Sequence, residues 1–321
     1  MQQELETEQF EQSYINRSLA LHNEYRSWGD LITSGGTDPE FLGDIGNDRV
    51  PVIALSCGDD YHHNPKLNLV DIANGLADND LILIREQLQK LAYTNGTEYP
   101  VMVRWFWEFN LNITNPQDDP NNNNGCFQVP NPPTIPSYPA QFINAWIRVR
   151  SVLLGTGSPV PNISFIWDPS IRADGYDTPD TPWAYYPGGQ YVDWVGFDGY
   201  SKLPNNIPPA ETFDQIFGTP IAYVAQNFGK PVVITETGAC NAYPPPFDQA
   251  SYINTIRSAI DSGVYPNLYA FMYFDAPSQH YSYQNKLCDW SLQDNSNSAG
   301  MTAFRTMAAD TKFSATIPRN P

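Results

Sequence analysis

Seven short runs rich in β-branched and aromatic residues recur along this chain. Each is followed by a polar loop, and helical periodicity returns between most of them. The runs are Arg17–His22, Pro51–Cys57, Pro100–Trp107, Ile163–Trp167, Val192–Phe197, Pro231–Thr235 and Leu268–Phe274. Helix-period segments lie between them at Asp80–Ala92, Ala140–Leu154, Phe213–Gln226 and Gln249–Ser262. Strands alternating with helices imply parallel pairing, and near-continuous apolar strands imply burial on both faces. No internal repeat or flexible linker divides the 321 residues, so one domain over 1–321 is expected. The expected class is α/β, closed as a (β/α)8 TIM barrel rather than an open sheet. Only seven strands are clear, and a helix candidate, Glu4–Gln12, precedes the first. An initial strand is therefore expected to be missing from this chain.

Charge narrows the partners. With 35 acidic and 17 basic residues the formal net charge is −18. Such a field repels a phosphate backbone and an anionic membrane surface, so neither nucleic acid nor membrane is an expected partner. No run of about 18 apolar residues is present to span a bilayer. Neutral, polar ligands fit this surface. The acidic N-terminus has no apolar segment of the kind a signal peptide needs. Four cysteines (Cys57, Cys126, Cys240, Cys288) lack CxxC spacing, and sequons stand at Asn16, Asn95, Asn112 and Asn162. With the acidity, these features point to a secreted glycoprotein whose leader is absent from this numbering. Cys57 and Cys126 follow neighbouring strands, as do Cys240 and Cys288, so of the three possible connectivities 57–126 with 240–288 is preferred. A monomer is expected.

The chemistry sits at strand ends. Glu108 in VRWFWEFN and Glu236 in VVITETGA each close an apolar strand. A carboxylate there is costly unless it is paired or functional. On a barrel such residues converge on the C-terminal face, where active sites lie. Two converging carboxylates suit glycosidic-bond cleavage, one protonating the leaving oxygen and the other acting as base or nucleophile. Strand alternation puts Met102, Arg104, Phe106 and Glu108 on one face, with Arg104 a layer below Glu108 and able to hold a carboxylate ionised. The plain alternative is that either glutamate opens a helix, where acidic residues are favoured; two such glutamates on Pro-Val-started strands weigh against it. The pair His62-His63 lacks the i,i+4 spacing of a metal site and reads as a solvated loop. No Gly-rich phosphate loop follows a strand. No metal or organic cofactor is expected.

In this order along nearly the whole chain, the segments resemble glycoside hydrolase family 26, a retaining (β/α)8 family that includes β-mannanases. FEQSYINRSLALHNEYRSW is similar to the family's first helix and second strand, and PVMVRWFWEFN carries R-x-x-x-E-x-N. ISFIWDPS, YYPGGQYVDWVGFDGY, KPVVITETGA and CDWSLQDNSNSAGMTAFRTM follow. The resemblance implies Glu108 as general acid/base, Glu236 as nucleophile and Tyr200 in contact with the nucleophile. It also supports a first strand upstream of the first helix. One departure bears on the substrate: the family's His before the acid/base is here Trp107, which can donate through its indole N–H but neither accept a hydrogen bond nor carry charge. Leu111 replaces the family Gly after Asn110, and the loop Asn112–Pro136 is long.

Pyranose C–H faces bury well on aromatic rings, which makes Trp167, Tyr200 and Trp290 the expected cleft aromatics. Trp183, Tyr185, Tyr186 and Tyr273 stand behind them, and Trp105 is expected to pack outward against helices. Arg104, Trp107, Asn110 and Asp198 complete the expected substrate-binding set. The expected substrate is a β-linked polysaccharide or oligosaccharide, β-1,4-mannan before mixed-linkage β-glucan or β-xylan. A carbohydrate-binding barrel without turnover is the alternative that Trp107 raises. Retention of Glu108, Glu236, Arg104 and Tyr200 argues against it. An aldolase or phosphosugar isomerase would need a strand-end Lys or a phosphate turn, and neither is present.

Overall fold

The computed structural model describes residues 7–58, 67–110, 137–155, 160, 162–171, 182–201, 211–239, 248–275, 282–283, 286–287, 290–292 and 298–313. The long loop Asn112–Pro136, most of Ile171–Gly188, the pair His62-His63, and Cys126, Cys240 and Cys288 lie outside them. The chain divides into two compact units. One comprises Leu21–Ser170 and Tyr176–Val195; the other comprises Met1–Ala20, Ile171–Gly175 and Gly196–Pro321.

Seven strands form the main sheet: β1 Leu21–Arg26, β2 Val50–Leu55, β3 Val101–Trp105, β4 Ile163–Trp167, β5 Trp194–Ser201, β6 Val232–Ala239 and β7 Leu268–Tyr273. Their order along the sheet is their order in the chain. In the first unit β1 to β4 and the start of β5 pair in parallel. In the second, β6 pairs with β7 in parallel. An eighth strand of this sheet is not among the described residues.

Helices return the chain between strands: α1 Trp28–Ser34, α2 Pro39–Gly46, α3 Leu69–Ala73, α4 Asp78–Ala92, α5 Tyr138–Leu154, α6 Phe213–Asn227, α7 Gln249–Ser262 and α8 Ala299–Ala308. Their starts are written locally. Ser27 with Asp30, Asn68 with Asp71, and Thr212 with Gln215 each form a reciprocal capping box, satisfying N–H groups that a helix otherwise leaves unpaired. The long helices match the expected segments to within a few residues.

The first strand differs from expectation. The apolar run Arg17–His22 draws the eye, but the strand is the polar stretch Leu21–Arg26. Its polarity has a tertiary cause. His22, Glu24 and Arg26 alternate onto one side, where they meet Asp38, Glu40 and Asp44 at and within α2. The opposite side carries Asn23 and Tyr25. Asp44 is fully buried between His22, at 3.0 Å, and Arg49, at 2.8 Å. Burial works against a charge on His22, but hydrogen bonds to Asp44 and Glu24 outweigh it and raise its pKa from 6.5 to about 10.

A folded-state pKa above the unfolded value gives stability that is complete below about pH 6.5 and is lost as pH rises through about 10. Thermal melts between pH 6.5 and 10 test this. The native chain should lose about 2–4 kcal/mol more than a His22→Gln variant over that window. Equal alkaline slopes would show that His22 is not charged in the fold.

Candidate functional site

In the unit Leu21–Ser170, the carboxylate expected to act as acid/base is set by a distorted turn. Strand β3 stops at Trp105, so alternation does not carry through to Glu108 as the sequence suggested. Phe106 takes φ 53° and Glu108 φ 55°, both in the left-handed region that bulky L residues avoid. Neighbouring strands hold the turn in place. Phe106 N–H donates to the Leu55 carbonyl at the end of β2, and Glu108 N–H donates to the Asp168 carbonyl just past β4, each at 2.9 Å. As a result Phe106 and Phe109 enter the core, while Trp107 and Glu108 remain half-buried. Strain of about 1–3 kcal/mol per residue persists only where surroundings over-determine it, and such positions cluster at active sites.

Beneath this turn lies a buried ion pair. Arg104 is fully buried; its Nε donates to Asp168 Oδ2 at 2.5 Å and its Nη1 to Asn23 Oδ1 at 2.9 Å. Arg104 thus pairs with Asp168, and Asp168 in turn holds Glu108 through the main chain. Asn110 braces the segment after β4 on its far side: its Nδ2 donates to the Ser170 carbonyl at 2.7 Å, and its Oδ1 accepts from Ser170 N–H at 2.9 Å.

Trp167 stands in the core rather than on a surface. It is fully buried, donates from Nε1 to the Tyr185 carbonyl, and packs against Phe109, Trp183 and Tyr186. An apolar, two-sided strand such as β4 buries its last ring as readily as its first, so strand-end position alone does not mark a platform. Trp105 packs outward as expected, against Phe142 and Trp146 of α5.

In the other unit, Glu236 lies inside β6 rather than at its end. The pairing with β7 shifts between Ile234 and Thr237: three residues on β6 oppose two on β7. Such a bulge re-aims a side chain, and bulges are frequent beside active sites. Glu236 is 7% exposed, and its Oε2 accepts from the Tyr200 hydroxyl at 2.5 Å. Tyr200, from β5, packs against Trp290 and Phe274 with ring centroids 5.5 and 5.7 Å away. Gly238 permits this packing, because a Cβ there would stand 2.8 Å from Trp290 Cδ1.

Two residues not singled out in the sequence hold Trp290. The Gln249 amide at the start of α7 donates to the Trp290 carbonyl at 3.0 Å, and Asp275 Oδ1 accepts from Leu292 N–H at 2.7 Å. No sequence signal marked them, since both act on backbone groups. Asp198 is fully buried at β5, where its carbonyl accepts from Ile171 N–H. Of the expected residues, then, Tyr200, Glu236 and Trp290 form one cluster. Arg104, Trp107, Glu108 and Asn110 share a second neighbourhood. Among the described residues no group of His, Cys, Asp or Glu could hold a metal ion.

Residues 158–270 match the sequence model described as Glycosyl hydrolase family 26. That segment holds Tyr200 and Glu236 but not Glu108. Endoglucanase H of Acetivibrio thermocellus is 22% identical over 249 residues, which cover 74% of this chain and 23% of that protein. The chain therefore spans about a quarter of that relative's length. A Cellulomonas fimi endo-beta-1,4-mannanase double mutant is similar in structure at TM-score 0.58 and 16% identity, over 94% of this chain and 66% of that one. A GH26 beta-mannanase from Bacteroides ovatus is similar at TM-score 0.59 and 13% identity, over 94% and 82%. At these identities the likeness establishes the fold, an α/β (β/α)8 barrel.

The Arg104–Asp168 pair gives a direct expectation for stability. Removing one partner of a buried pair strands the other charge out of water, at a cost of about 3–5 kcal/mol. Urea denaturation of Arg104→Met should register a loss of that size. A loss under about 1 kcal/mol would mean that Asp168 is neutral or solvated in the fold.

Proposed function

We propose that this chain is a member of glycoside hydrolase family 26, as the family match over residues 158–270 supports, and a retaining endo-β-glycoside hydrolase acting on a plant or fungal β-glycan. The observation that carries the reading is the Tyr200–Glu236 hydrogen bond of 2.5 Å at the β6 bulge. A nucleophilic carboxylate must present one oxygen to the anomeric carbon, and a hydroxyl holding the other oxygen fixes its aim. Glu108, on its distorted turn, is the acid/base.

In the first step Glu236 attacks the anomeric carbon, and the glycosidic C–O bond breaks as protonated Glu108 gives its proton to the departing oxygen. In the second, Glu108 takes a proton from water. The resulting hydroxide oxygen attacks the anomeric carbon, the glycosyl ester breaks, and Glu236 leaves as carboxylate. No metal or organic cofactor enters either step. Arg104 and Asn110 position the acid/base turn through Asp168 and Ser170, and Trp290, itself buried, packs behind Tyr200.

β-1,4-Mannan is the first-choice substrate, in keeping with the mannanase folds. The similarity to a protein named as an endoglucanase favours β-glucan as the second reading. β-Xylan stands behind both. The protein is taken to act as a secreted, glycosylated monomer of one domain, with disulfides 57–126 and 240–288. Asn16, Asn95 and Asn162 are exposed at their sequons, as glycan carriers must be. Asn112 lies outside the described residues.

Reducing-sugar release from soluble galactomannan, mixed-linkage β-glucan and xylan tests the reading. One glycan should be cleaved, with β-anomeric product seen first by NMR. Glu108→Ala should lower kcat by roughly 10²–10⁴-fold, and Glu236→Ala by at least as much. Initial α product would refute retention, and binding without turnover would favour the non-catalytic barrel. Peptide mapping under non-reducing conditions should recover the 57–126 and 240–288 pairs; a 57–240 or 57–288 bridge would refute them.

A further inference from the structure

The side chain that departs from the family pattern, Trp107, has a partner that the sequence did not nominate. Tyr25, on β1, meets it edge-on, with ring centroids 5.2 Å apart and planes at 64°. Two rings at that angle make the walls of a corner. Tyr25 is 39% exposed and is the one exposed side chain of β1. That is unusual for a tyrosine in a strand whose neighbour, β2, is buried at every position.

The sheet explains how the corner forms. Parallel register places Tyr25, Ala54 and Arg104 in one row across β1, β2 and β3. Side chains in such a row project from the same face. Ala54 is the small member, so little bulk separates the Tyr25 ring from what lies above β3. There the turn at φ 53° and φ 55° turns Trp107 away from the core, while Phe106 on its other side goes in. One residue further on is Glu108. The corner is thus fixed at the acid/base by the same distortion that presents the acid/base.

We propose that Tyr25 and Trp107 form a binding corner for one pyranose ring of a neutral β-linked glycan, at the sugar adjoining the bond whose oxygen Glu108 protonates. The proposal rests on the glycan-cleaving reading above and deepens it. The chemistry fits a neutral sugar. The flat C–H face of a pyranose buries against one ring, the indole N–H and phenol O–H meet its hydroxyls, and the net charge of −18 disfavours uronic-acid chains. A histidine before the acid/base offers a polar edge to one hydroxyl. The Trp–Tyr corner offers area instead, so it selects for an equatorial, flat ring face over a particular hydroxyl.

Calorimetric titration of mannohexaose, cellohexaose and xylohexaose into Glu236→Ala protein, which binds without turnover, tests the corner. For the hexaose that binds, adding Tyr25→Ala should raise Kd by about tenfold, the loss of one stacked ring. Adding Tyr25→Phe, which keeps the ring, should change Kd by less than about twofold. Tyr25→Leu keeps apolar bulk without a flat face and should behave as Tyr25→Ala, which covers a loss of folding in the alanine variant. Unchanged Kd in Tyr25→Ala and Tyr25→Leu proteins of native melting temperature overturns the corner and leaves glycan cleavage standing. Absence of binding by all three hexaoses to the Glu236→Ala protein overturns both.

Discussion

The buried pair of Arg104 and Asp168 is the interaction on which the neighbourhood of Glu108 depends. A fully buried guanidinium is tolerable only where its charge is met and its donors are satisfied. Here Asp168 meets the charge and Asn23 takes a further donor. Both partners come from other strands, so the cationic group ties β1, β3 and the end of β4 together in one unit. The consequence reaches the surface through the main chain, because the Asp168 carbonyl receives the Glu108 N–H. A fully buried residue thereby helps set where the Glu108 backbone stands.

The neighbourhood of Glu236 is built differently. Its described features are a bulge, a hydroxyl and a ring cluster. The bulge falls at Glu236 within a strand buried throughout, the Tyr200 hydroxyl fixes one of its oxygens, and the absence of a side chain at Gly238 lets Trp290 pack close. A hydroxyl donating to one carboxylate oxygen fixes how the group is aimed and leaves its other oxygen to be placed by the bulge.

Much of this was legible in the linear chain. Alternation of apolar runs with helical periods is a local signal, and it identified six of the seven strands and the long helices. Glu108 and Glu236 stood out because a carboxylate closing an apolar strand conflicts with its surroundings. The outward packing of Trp105 followed from period alone. What misled was the assumption that the period continues. It ends at Trp105, and beyond that point the direction of each side chain is decided by two hydrogen bonds from distant strands. The same limit hid β1: Leu21–Arg26 looks like a loop until α2 brings Asp38, Glu40 and Asp44 to its polar side. Trp167, promising at a strand end, is covered by Tyr185 and Trp183 from a segment some 15–20 positions further along.

The sequence by itself determined the class of fold and the helix starts, and it marked two carboxylates as out of place, because each of these is encoded within a span of a few residues by period, capping side chains or a local clash of polarity. Tertiary structure decided that Arg104 pairs with Asp168, that Glu236 sits in a bulge, that Trp167 is core, and that Tyr25 stands against Trp107. Those depend on which residues of separate strands share a row. Row membership is fixed by register between chain segments, a quantity that no single segment contains.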